Sequence, residues 1–161
     1  MINAAEILDA LVAKLRDVPE LVDLVDGNPE NIAAYHDQYP NKVSLQEALT
    51  LLKAPGIMCY WQGAGPTGSG GFEAWQHSFG IALRAAAELN TGATPSGYYQ
   101  LWKLIMRGVP ATDPEQQPLR FATIHPQCLP MTDVPTIRRL TDVAGIDYFE
   151  ISISFTEIGD E

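Results

Sequence analysis

Asp147 to Glu157, reading DYFEISISFTE, is the stretch that decides the fold. Phe149, Ile151, Ile153 and Phe155 take every second position, with Glu150, Ser152, Ser154 and Thr156 between them. A strand turns successive side chains to opposite faces, so this stretch predicts a strand with one apolar and one polar face. A terminal segment frays unless it is paired. The strand is therefore expected inside a sheet, with the rest of the fold laid against its aromatic and isoleucine face.

Working outward, the preceding residues divide into helices and strands. Asn3 to Arg16 predicts a helix, with Asn3 as cap, Glu6 three residues later, and Ile7, Leu8, Leu11, Val12 and Leu15 as an apolar stripe. Pro19 to Val25 predicts a further short turn of helix, Gly27-Asn28-Pro29 a turn, and Ile32 to Tyr35 a short edge strand. Ser44 to Leu52 predicts another short helix, again opened by a capping pair, Ser44 and Glu47. Gly56 to Gln62 predicts a strand, with Ile57, Cys59 and Trp61 on one face. Gly63 to Gly71, GAGPTGSGG, predicts a loop, and Phe72 to Ala86 a long strand that pairs with the first as a hairpin. ALRAAAEL, Ala82 to Leu89, also suits a helix, since Ala, Leu and Glu favour one. Thr94 to about Gly108 predicts a helix, PATDPEQQP a polar loop, and Leu119 to Ile124 a strand. Thr136 to Leu140 predicts a partner for the last strand. The expected fold is a single α+β domain over residues 1–161, an antiparallel or mixed sheet with helices packed on one face.

Composition limits the functional classes. A hydrophobic share of 46% with 19% charged residues suits a folded chain with a core rather than a disordered one. No run of about 18 apolar residues occurs, so no membrane span is expected. The N-terminal MINAAEILDA has no basic segment, so it is not expected to be a secretory signal. Cys59 and Cys128 are too few for a disulfide framework and are expected to be buried free thiols. The net charge of −10 argues against broad binding to a phosphate backbone, which needs clustered Lys and Arg. It leaves open a surface past which DNA slides without sticking.

The stretches that suggest chemistry do not carry it through. Gly63, Gly65 and Gly68 match G-x-G-x-x-G, and Gly63 to Gly68 match the start of a phosphate-binding loop. Such a loop needs Lys and then Ser or Thr, but Ser69 and Gly70 stand there, and a strand pattern follows where the phosphate needs a helix N-terminus. A hairpin tip is the better reading. Of His36, His77 and His125, only the last has a two-ligand spacing, His125-Pro126-Gln127-Cys128, and no second pair at comparable spacing joins it, so a satisfied histidine is the expectation rather than a metal site. His77 sits between Trp75 and Phe79 on the apolar face of its strand, and Trp61, Trp75 and Trp102 are expected mostly in the core. Glu150 and Glu157 fall on opposite faces of the last strand and make no ready carboxylate pair.

The chain resembles the tail terminator proteins of long-tailed bacteriophages, also called neck or tail-completion proteins. The resemblance lies in the order of AEILDALVAKL, PGIMCYWQG, FEAWQHSFGIALR after a variable loop, YYQLWKLIMRGV and the terminal RRLTDVAGIDYFEISISFTEIGD. It covers nearly the whole chain. It implies a structural virion protein and no enzyme, cofactor or metal. Such a protein forms a homo-oligomeric ring, usually a hexamer, on the last ring of the tail tube. It stops tube growth and provides the surface that joins the head through connector proteins, and DNA passes the channel without specific binding.

On that reading the glycine loop, with Gly65, Pro66, Thr67, Gly68 and Ser69, is a candidate interface arm. So is the polar loop with Asp113, Glu115 and Gln116. Glu150, Ser152 and Ser154 are candidates for a channel-lining or neighbour-facing surface. The alternatives are another head–tail adaptor or capsid-completion protein, a small enzyme using a histidine with a cysteine, and a nucleotide-binding regulator using the glycine loop.

Overall fold

The structure, a computed structural model, describes residues 3–36, 44–53, 55–67, 74–84, 124–126, 128–129, 137–141 and 147–157. Helix α1 (Ala4–Arg16) opens at Asn3, whose side-chain oxygen accepts from the Ala5 amide at 3.0 Å. This satisfies one of the donors that a helix start leaves without an intrahelical partner. All five residues of the expected stripe, Ile7, Leu8, Leu11, Val12 and Leu15, are buried. Helix α2 (Pro19–Leu24) follows, with proline in its first turn, where the missing amide costs nothing. Asp26 and Gly27 both adopt left-handed backbone, at φ 63° and 68°, and turn the chain toward β1 (Ile32–Ala34). The Arg16 Nε donates to the Ile32 carbonyl at 2.8 Å and ties the end of α1 to that strand. Helix α3 (Leu45–Leu51) is capped by Ser44, whose hydroxyl accepts from the Glu47 amide at 3.2 Å.

The remaining strands are β2 (Gly56–Thr67), β3 (Ala74–Arg84), β4 (Ile137–Thr141) and β5 (Asp147–Glu157). The sheet order is β1-β2-β3-β5-β4. β1 runs parallel to β2, and the other pairs are antiparallel. The sheet is thus mixed and the class α+β, as the sequence predicts. β5 lies between β3 and β4, and its odd residues Phe149, Ile151, Ile153 and Phe155 enter the main core beside Ile57, Cys59, Phe79, Ile81 and Leu83. Phe79 and Phe155 meet with ring centroids 6.1 Å apart and planes tilted by 53°. That tilted geometry suits the ring quadrupoles and contributes about 1 kcal/mol beyond burial.

Packing of helices on one face describes α1 and α2, which cover the main core. α3 lies on the other face. Its Leu49, with Leu45, Ala48 and Leu52 around it, packs on Met58, Tyr60, Ala82 and Tyr148, the alternate residues of β2, β3 and β5. The buried Arg84 secures this packing, donating from Nη1 to the carbonyls of Thr50 (3.3 Å) and Leu52 (3.1 Å) at the end of α3. A cation there satisfies orphaned carbonyls and matches the negative end of the helix dipole.

Two expectations about β2 are corrected. The loop expected from Gly63 begins later, because Gly63 to Thr67 continue the strand in register with Ser78 to Ala74. The ladder to β3 overrides the weak strand preference of glycine. Pro66 is tolerated because β1 pairs only as far as Cys59, so among the described residues Pro66 lies on an open edge. The register also shifts between Trp61 and Gly63, leaving Gln62 as an extra residue. Gly63 takes φ 143° there, backbone that L side chains rarely adopt. Trp61 stands at this bulge, 45% exposed rather than in the core. The helix expected from Thr94 to Gly108, the PATDPEQQP loop and most of the Leu119 to Ile124 strand lie outside the described residues.

Candidate assembly surface

α3 covers only one end of the second face of the sheet. Beyond it the same face presents Gln62, Gln76, Ser78, Ser152, Ser154 and Thr156. Gln62, Gln76 and Ser152 are exposed and the other three half-buried. The registers place Gly80 opposite Ser152, Ser78 opposite Ser154 and Gln76 opposite Thr156, so these side chains are neighbours across β3 and β5. The Ser78 and Ser154 hydroxyls hydrogen-bond at 3.2 Å, and the Gln62 amide reaches the Ser152 hydroxyl at 3.4 Å. Alternation puts Gln62 on the polar side, and the bulge places Gly63 there as well, opposite Ser78. Among the described residues the result is an uncharged field of hydroxyls and amides, on a chain of net charge −10.

Ser152 and Ser154 therefore lie where the alternation of the last strand predicts. Glu150 does not. It is only 4% exposed, with Arg138 Nη2 at 2.6 Å and Nε at 3.2 Å from its Oε1. The reason is register: Arg138 of β4 lies directly opposite Glu150 and closes over it. Burial pushes the Glu150 carboxyl above the usual carboxylate range, and a hydrogen bond from Ser152 partly counters this. The Arg138 side chain is 63% exposed, so water screens its opposing pull. Glu150 is thus a structural residue at the border of the polar field, not part of its open surface.

Of the interface candidates, Gly65, Pro66 and Thr67 form the outer part of the β2–β3 hairpin. Gly68, Ser69, Asp113, Glu115 and Gln116 lie outside the described residues. At the base of the hairpin is a cleft of about 410 Å³, walled by the first turns of α1, by Tyr35 and His36 after β1, and by Trp61. The sequence pattern puts Trp61 in the core row, and nothing in it signals the cleft.

The histidines are placed individually. His36 Nε2 meets Asp9 Oδ1 at 2.8 Å on the surface, and His125 Nε2 stands 3.7 Å from Glu6 Oε2. His77 is buried, with Nε2 3.0 Å from Glu157 Oε2, and its Nδ1 makes no hydrogen bond. Cys128 is bridged to Glu157 on the backbone, so a thiol, an imidazole and a carboxylate gather at the end of β5. Both cysteines are buried free thiols, as expected. Burial raises Cys59 to about 12. Burial, then the Glu157 carboxylate, raises Cys128. A thiol held protonated is a poor nucleophile. Among the described residues no group of three or more potential ligands is placed to hold a metal ion.

No protein-family model matches the chain, and no curated protein matches it. Among the described residues no helix is long and apolar enough to cross a membrane.

Proposed function

We propose that this chain is a structural virion protein of the tail-terminator type rather than an enzyme. It forms a homo-oligomeric ring, a hexamer by the resemblance, that caps the phage tail tube and offers a joining surface to the head–tail connector proteins. DNA crosses the ring without specific binding. The protein is assembled in the host cytoplasm and resides in the neck of the virion.

The observation that carries this reading is the uncharged field around Ser152 and Ser154. Copies of a chain of net charge −10 repel one another wherever carboxylates face each other. A field of hydroxyls and amides lets a neighbour approach, or lets DNA pass, with neither strong repulsion nor the grip of Lys and Arg. The hairpin that runs beyond β1 adds reach toward a neighbour. The order of helix, short helix, hairpin and final strand also accords with the pattern on which the resemblance rests.

The test is direct imaging. Purified protein mixed with tail tube protein is expected to give rings with a central hole, seated at tube ends, by negative-stain electron microscopy. A chain that stays monomeric by light scattering and never binds tube ends overturns the reading.

A further inference from the structure

The cleft beside Trp61 is a feature that the proposed function leaves unused. It is lined by the apolar residues Ala4, Ala5 and Leu8 and the aromatic Tyr35 and Trp61, with Asn3 and His36 as its polar members. His36, the cationic group at its rim when protonated, is already engaged by Asp9. An aromatic-walled cleft of this kind suits a neutral, apolar, preformed segment, the mode in which proline is recognised. The nearly half-exposed Trp61 is the residue type that anchors protein contacts.

Such a segment exists in this chain. Ala64 and Pro66 are exposed, lie in extended backbone, and project from the same face of the sheet as Trp61, opposite His77 and Trp75. The whole stretch Gly63 to Gly71 carries no charge, so it can approach a like-charged copy without repulsion. It cannot turn back into its own cleft. Trp61 is opposite Phe79 and Pro66 opposite Trp75, so at a strand rise of ~3.3 Å per residue Pro66 is held by the ladder ~13 Å beyond Trp61.

We propose that the cleft walled by α1, Tyr35 and Trp61 receives Ala64–Pro66 of a second copy of this chain, with Pro66 stacked on the Trp61 ring. The contact joins two different surfaces of one molecule, so it is head to tail and closes into a ring when the rotation per copy divides a full turn. It rests on the ring reading above and names the contact that builds the ring.

The experiment is cross-linking between two variants. Ala5→Cys marks the cleft and Pro66→Cys marks the hairpin. Treated with a short bis-maleimide, a mixture of the two is expected to give a covalent dimer that neither variant gives alone. Both changes in one chain are expected to give a ladder ending at the ring number. Wild-type protein, whose Cys59 and Cys128 are buried, is the background control. Trp61→Ala is expected to weaken self-association about tenfold or more with an unchanged circular dichroism spectrum. Rings seen in the microscope with no such cross-link overturn this contact and leave the ring reading standing. Cross-linking of Pro66→Cys to tube protein instead of the Ala5→Cys chain also overturns it. No ring and no cross-link, even with tube protein present, overturns both.

Discussion

His77 and Glu157, separated by 80 residues, meet at 3.0 Å inside the core where β3 lies against the end of β5. Neither is directly opposite the other, since His77 faces Phe155 and Glu157 faces Trp75. They are diagonal neighbours on the apolar face, and the apolar run of β5 ends on a buried acid. Removing one partner leaves the other buried without it, which is the costly half of such a pair. Glu157→Leu is expected to lower stability by about 3 kcal/mol. His77→Leu combined with Glu157→Leu is expected to recover part of that loss. Urea unfolding of the four chains of this cycle measures it, and strictly additive losses would show that the two residues are not coupled.

Glu150 sets a pH dependence. Its carboxyl titrates above the ordinary value of 4.5 because it is buried. A carboxyl with a raised pKa binds its proton more tightly in the folded chain than in the unfolded one. Its contribution to stability is therefore full in acid and falls as pH rises from the unfolded value through the folded one. Glu150→Gln lacks that fall. The difference in unfolding free energy between Glu150→Gln and wild type is expected to move in favour of the variant between about pH 4 and about pH 7. A difference that stays flat, or moves the other way, would mean that Arg138 dominates the site.

Gly80 is directly opposite Tyr60, whose ring lies across it, and a Cβ at this position would overlap that ring, 2.6 Å from its Oη. Tyr60 is itself buried among Leu49, Met58, Ala82 and Tyr148, so it has little room to move aside. Gly80→Ala is expected to cost about 1–3 kcal/mol through overpacking, in spite of the entropy that alanine removes from the unfolded chain. Tyr60→Leu in the same chain is expected to relieve part of the cost. The denaturant midpoint reports both.

Ser152 and Ser154 test the polar field. Lysine at both positions is expected to leave the fold intact, since Ser152 is exposed and Ser154 half-buried, and the bonds lost, to Gln62, Glu150 and Ser78, lie outside the apolar core. Assembly on tube ends or phage infectivity is expected to fall. Glutamate at both positions separates the two uses of the field. If it joins copies, Lys and Glu both block ring formation. If it lines the DNA path, rings form with either pair and only Lys slows DNA delivery. Full infectivity with both pairs removes the field from the function.

Local patterns in the sequence reveal most of the body of the fold. The stripe from Ile7 to Leu15, the caps Asn3 and Ser44, the hairpin, and the alternation from Phe149 to Phe155 each depend on neighbours close in sequence. The missed features depend on partners that local pattern does not show. Glu150 looks solvated until Arg138 of β4 is placed opposite it. Glu157 continues the apolar row of Phe155 as an acid with no visible reason until β3 brings His77 beside it. Trp61 falls in the row of Ile57 and Cys59, but it stands at the bulge beside the cleft and is exposed. The glycines from Gly63 onward suggest a loop, and only their ladder with β3 makes them strand. The polar field was legible at Ser152 and Ser154, and alternation puts Gln62 on the side of Met58 and Tyr60, while the change of phase from Gly63 onward came only with the bulge.

The position of β5 also governs when the fold can close. β3 and β4 bracket it, so neither has its full set of sheet partners until the residues from Asp147 onward have been synthesised. A nascent chain that stops short of them keeps Phe79, Ile81 and Leu83 without the strand that covers their flank. Completion of the sheet thus waits on the strand that is made last among the described ones.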